Sequence, residues 1–117
     1  GVPLRVTDDA LRDRLYWDLS QRWEGVLDCH RNQEFLDFVP AGATKGSGLR
    51  ALLDGPLAGR EIEVWTIGDS WNDLDMHALA DHAVALPWSP PEVTAACETT
   101  AGSIAELITT ILEGDRA

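Results

Sequence analysis

Lysine is almost absent from this chain: Lys45 is the only one among 117 residues, and the other eight cations are arginines. With 9 Lys and Arg against 20 Asp and Glu, the formal net charge of −11 excludes the basic face that a nucleic-acid backbone requires. Cysteine is equally sparse. Cys29 and Cys97 have neither a CxxC nor a Cys/His ligand spacing, which leaves no thiolate zinc motif and points to reduced thiols. No apolar run approaches the roughly 20 residues that span a bilayer, and no basic start leads into an apolar stretch. The expectation is a cytoplasmic protein with neither nucleic acid nor membrane as partner. At 44% hydrophobic residues the chain can still bury one modest core.

What is present is more pointed. The apolar run Ile62-Glu63-Val64-Trp65-Thr66-Ile67 stops at Gly68 and is followed by Asp69-Ser70-Trp71-Asn72-Asp73. This reads as a strand ending in an acidic loop, and in open α/β sheets ligands bind beyond the carboxyl ends of strands. Asp69 and Asp73 are four apart, so a helix beginning near Ser70 or Trp71 lets both acids converge at its amino end. Such oxygens suit magnesium, which takes one or two carboxylates and leaves its other positions to water and a substrate phosphate. Taken singly, either aspartate reads equally well as a cap for the next helix. The lone lysine lies in Ala43-Thr44-Lys45-Gly46-Ser47-Gly48, among small neighbours that leave its ammonium accessible to a phosphate or carboxylate.

The rest of the chain alternates elements. Thr7-Asp8-Asp9 caps a helix whose Leu11, Leu15, Leu19 and Trp23 form an apolar stripe, and Gly25 ends it. Strands are expected over residues 26–30 and 34–39, joined through Arg31-Asn32-Gln33. Pro40-Ala41-Gly42 marks a boundary. Beyond it come a helix over 47–53, a strand over 62–67, a helix over 74–80, a short buried strand over 83–86 and a helix over 92–97. A strand or turn comes next, and then an amphipathic helix carrying Ile104, Leu107, Ile108, Ile111 and Leu112. Helices alternating with buried strands imply a doubly wound sheet, here small enough to leave an edge open for other chain to cover.

Phe38-Val39-Pro40-Ala41-Gly42-Ala43-Thr44-Lys45-Gly46, an apolar helix, and a strand into Gly68-Asp69-Ser70-Trp71-Asn72-Asp73-Leu74-Asp75-Met76 together resemble the second half of a haloacid dehalogenase-superfamily phosphatase. The nearest likeness is to its Cof-like, sugar-phosphate branch. The resemblance implies an α/β fold: residues 1–39 as the tail of an α+β cap, and residues 40–117 as the carboxyl-terminal half of a Rossmann-like core. It implies Lys45, Asp69 and Asp73 as catalytic residues, Asp69 and Asp73 as magnesium ligands, and Asn72 and Lys45 as substrate contacts. It also implies a phosphorylated metabolite as substrate.

The family's nucleophilic Asp-x-Asp-x-Thr/Val motif is not found. Asp73-Leu74-Asp75 continues into Met76-His77 within the acidic loop. The covalent chemistry is therefore expected from residues outside this chain, in a missing amino-terminal half or a covering partner, with this chain inactive alone. The competing expectation is a non-catalytic binding module derived from the same fold. His77 and His82, five apart without a third ligand, are expected to support or lie on the surface rather than hold zinc. His30 is a candidate to face substrate from a cap strand. Trp71 and Trp88 are expected near the site as packing groups or as walls for a sugar ring, and Ser89 is the polar group left beside Trp88.

Overall fold

The computed structural model describes residues 1–115, so the last two residues of the expected core segment, Arg116 and Ala117, lie outside the described residues. The chain opens with a strand that the sequence did not announce, β1 (Val2–Arg5), only four residues long and exposed throughout. Pro3 lacks an N–H and is tolerated because β1 is an edge strand. Helix α1 (Asp9–Arg22) comes next, with the Asp8 carboxylate accepting the Leu11 N–H at 2.8 Å as an N-cap. The expected stripe is only partly covered. α1 buries no residue completely, and Leu11 and Trp23 remain 39% and 45% exposed, Trp23 serving as the helix C-cap.

β2 (Leu27–Asn32) and β3 (Phe35–Pro40) form an antiparallel hairpin that pairs Asn32 with Phe35 and Leu27 with Pro40. Its two-residue turn puts Gln33 at φ +55°, left-handed backbone that a side chain rarely adopts. β1 pairs antiparallel with the other side of β3, Val2 against Phe38 and Arg5 against Phe35. The order is β1-β3-β2, so β3 is central, and its Leu36 is fully buried.

α2 (Lys45–Asp54) begins two residues earlier than expected, because Thr44 and Ser47 form a reciprocal capping box. After it the chain builds a parallel sheet of β4 (Trp65–Gly68), β5 (His82–Ala85) and β6 (Thr99–Thr100), in that order. The strand expected over 62–67 starts three residues later. The Val64 N–H donates to the Asp81 carboxylate at 2.8 Å and its carbonyl accepts from Asp81 and His82, which closes a connection in place of a ladder. Beyond Gly68 a single 3-10 turn (Trp71–Asp73) runs into the one-turn helix α3 (Leu74–His77), shorter than the helix expected over 74–80. α4 (Pro91–Ala96) and α5 (Ile104–Gly114) complete the set. Val84, Ala101 and Leu107 form the core of this half, with Trp65, Ile67 and Ile111 packed on it. No helix among the described residues is long and apolar enough to cross a membrane.

Three loops converge at one end of the parallel sheet. Those after β4 and β5 leave that end together and are joined there, the Leu86 N–H donating to the Gly68 carbonyl at 3.0 Å. The tip of the β2–β3 hairpin reaches the same end. Its Gln33 N–H donates to Ser70 Oγ at 3.2 Å and its Nε2 to the Asp69 carbonyl at 3.3 Å.

Candidate active site

The Asp73 carboxyl is the centre of the acidic loop and is almost fully buried. Its Oδ1 accepts from Lys45 Nζ at 2.5 Å, while its Oδ2 accepts the N–H groups of Asp69 and Ser70 at 2.9 and 3.0 Å. Burial alone would raise the pKa of this acid. The Lys45 hydrogen bond and the two amides overcome that and hold the carboxyl below the usual carboxylate range. The backbone has to come this close to the acid, and only glycine allows it: a Cβ on Gly68 would land on the Asp73 carboxyl.

Lys45 arrives at this point because of α2 and its neighbour. It is the first residue of α2, and the next residue, Gly46, is buried where a Cβ would meet the Asp75 carboxyl at 2.6 Å and the Asp75 backbone at 2.9 Å. That missing side chain lets α2 lie on α3, so the lysine stem bridges to a residue 28 positions on. Half of the Lys45 side chain is still exposed, which leaves the ammonium able to meet a ligand.

Asp69 behaves differently from Asp73. Its Oδ2 accepts the Trp88 indole N–H at 2.7 Å, and among the described residues no hydrogen bond reaches its Oδ1. The structure therefore brings Lys45, Asp69 and Asp73 to one place but turns one acid inward and one outward. Asn72 stands beside them with a buried Oδ1 that has no partner. Among the described residues, no group of three or more His, Cys, Asp or Glu side chains is gathered in a way that could hold a metal ion unaided.

A cleft of about 680 Å³ opens in front of Lys45. Lys45, Ser47 and Asn72 line it together with His30, Asp37 and Val39 of the antiparallel sheet. His30 and Asp37 are directly opposite on β2 and β3, and His30 Nε2 is buried without a partner. Trp71 lies elsewhere. The Arg31 guanidinium stacks 5.1 Å from its ring and 4.7 Å from the Tyr16 ring, and the Trp71 N–H donates to Glu92 at 3.3 Å. Ser89 is spent on structure, its hydroxyl donating to the Leu86 carbonyl at 2.7 Å.

The two histidines of the acidic half split. His77 is buried, bonded through Nδ1 to Thr66 Oγ1 at 2.8 Å, and burial lowers its pKa. His82 lies on the opposite end of the sheet, stacked on Trp65 and bridging Glu63 at 2.5 Å and Glu98 at 2.8 Å. Neither cysteine is paired, and burial raises both thiols. Sequence reasoning missed Ser70, Gln33 and Asp37. Only Asp37 carried a usable signal, the alternation Leu36-Asp37-Phe38 that puts it on the face opposite Leu36.

A parallel sheet ending in a lysine-bound acidic loop, with an antiparallel sheet beside it, is the mixed α/β fold of solved haloacid dehalogenase-like hydrolases. The sequence model of the haloacid dehalogenase-like hydrolases matches residues 5–107, and the chain belongs to that family. Among curated proteins, a Haemophilus influenzae protein described as a candidate phosphatase is 33% identical over 75 residues, which cover 64% of this chain and 28% of that one. A haloacid dehalogenase-like hydrolase from Bacteroides thetaiotaomicron is 31% identical with a TM-score of 0.67, over 91% of this chain and 42% of its own. A Streptococcus mutans protein, 21% identical over 95% of this chain and 44% of its own, shares the fold at a TM-score of 0.81. The chain thus spans about a quarter to under half the length of these relatives.

Proposed function

We propose that this chain supplies the lysine and the acidic loop of a magnesium-dependent phosphoric monoester hydrolase acting on a small phosphorylated metabolite such as a sugar phosphate. The observation that carries the reading is the half-exposed Lys45 ammonium, pinned by a buried carboxylate at the mouth of a cleft. A lysine whose only role was solvation would not be anchored at a strand end beside an outward carboxylate.

The division of labour follows from the hydrogen bonds. Asp73 acts as an internal counterion that fixes the Lys45 Nζ position and, through its two amide bonds, the course of the loop. The magnesium role expected of both acids falls chiefly to Asp69. Its Oδ1 and the orphaned Asn72 Oδ1 are hard oxygen donors, and they fit a cation that completes its shell with water and substrate phosphate. When bound, magnesium supplies offsetting charge for the phosphoryl oxygens. Lys45 contributes a fixed positive charge on the same group, and positioned charge is most of what phosphoryl transfer needs. The attacking aspartate comes from outside these residues, in a longer polypeptide, and the 117-residue chain alone is inactive.

The test is phosphatase assay of the longer polypeptide with a panel of phosphomonoesters. Asp69→Asn is expected to abolish magnesium-dependent turnover, and Lys45→Met to lower it by about three orders of magnitude, with the fold retained. Wild-type rates in both variants would refute the reading and favour a non-catalytic binding module.

A further inference from the structure

We propose that Trp88 is a positioning residue for the cation site: its indole N–H aims the Asp69 carboxylate so that Oδ1 is presented outward. The inference rests on the reading of Asp69 as the cation's carboxylate. Trp88 is 60% exposed, so burial does not explain where its ring lies. Its loop is instead tied to the acidic loop. Leu86 donates to the Gly68 carbonyl at 3.0 Å, Pro87 stiffens the next step, and Ser89 closes the turn back on Leu86. The indole then meets Asp69 Oδ2 at 2.7 Å, the length of a bond to a charged acceptor.

Asp69 is restrained at three points. Its N–H is held by Asp73, its carbonyl by Gln33 and its side chain by Trp88. Without the third restraint, the short side chain could rotate and share both oxygens with water. The choice of donor also has a physical reason. An indole N–H donates one hydrogen bond and carries no charge, so it orients the carboxylate without neutralising it. An arginine or lysine at position 88 would fix the same oxygen and repel the incoming cation.

The test is a terbium titration of the longer polypeptide used for the phosphatase assay, followed by tryptophan-sensitised luminescence and read as the midpoint rather than the amplitude, since Trp88 is itself a donor of excitation. Trp88→Phe is expected to raise the midpoint about 10-fold, at the low end of what losing a hydrogen-bond partner of a metal ligand costs. Trp88→Leu, which lacks a donor and the ring as well, should match it. Thermal midpoints without cation should equal wild type. Adding Trp88→Phe to Asp69→Asn should change nothing further, a non-additivity that a general loss of structure would not produce. If Asp69→Asn moves the midpoint and the Trp88 variants do not, this inference is overturned and the cation reading stands. If Asp69→Asn binds as wild type does, or wild type does not bind, both fall.

Discussion

Replacing Asp73 by Asn is the most direct probe of the loop, because one side chain carries three hydrogen bonds there. Removing one partner of a fully buried ion pair costs about 3–5 kcal/mol, much of it the penalty on the charge left behind. Lys45 is 50% exposed, so its ammonium regains water and that part of the cost is reduced. The amides of Asp69 and Ser70 still find an oxygen in Asn, but a neutral one, with bonds about half as strong. The sum is a loss of about 2–3 kcal/mol, which for a chain of this size lowers the thermal midpoint by about 10 °C. The pH dependence has a definite sign. The Asp73 pKa is depressed on folding, so its contribution is present above the unfolded carboxylate pKa of about 3.9 and is lost as pH falls through the lower folded value. Thermal unfolding of both proteins should therefore show the full gap from about pH 5 to 7, closing as the pH falls below the unfolded carboxylate value. Equal midpoints at neutral pH, or a gap that ignores pH, would refute the assignment of Asp73 as an ionised internal counterion.

Two further outcomes are expected. Gly46→Ala places a methyl group against the Asp75 carboxyl and backbone, so it should destabilise the chain by about 1–3 kcal/mol in urea unfolding and push α2 off α3; a neutral effect would mean that the helices do not meet there. His82→Gln should lower the thermal midpoint at pH 6 more than at pH 8. The bonds to Glu98 and Glu63 raise the His82 pKa, and stability of that kind is complete below the unfolded value of about 6.5 and fades as pH rises through the folded one. An identical loss at both pH values would show that the imidazole is not charged in the folded state.

The parts of the fold that could be read from sequence are those with a strong local cause. Thr7-Asp8-Asp9 started a helix, and the Gly55 and Gly68 breaks fell at element ends, whereas the first helix stopped at Arg22, three residues before the expected Gly25. β1 escaped because four residues with a proline have no period of their own; it exists only because β3 offers an open side. The early end of α3 was hidden by an apolar run that reads as helix, since Ala78 and Leu79 carry no mark of the turn they make. At the candidate site, Lys45, Asp69, Asn72 and Asp73 could be named in advance from residue type together with the family resemblance, and the structure brings the lysine and the two acids together. Their unequal roles could not be named, because which carboxylate turns inward depends on where α2 delivers the ammonium. Trp88 is the same case: nothing in Leu86-Pro87-Trp88-Ser89 announces a partner 19 positions earlier.

The paired amides on Asp73 Oδ2 have a spectroscopic consequence. Two sequential backbone protons, those of Asp69 and Ser70, point at a single carboxylate oxygen from 2.9 and 3.0 Å. Protons in that situation are strongly deshielded, so the loop carries two adjacent resonances at the downfield edge of the amide region. They would move together when the acid is protonated. An observer following them would see the assembly of the lysine, the turn and the strand end without any substrate, label or turnover.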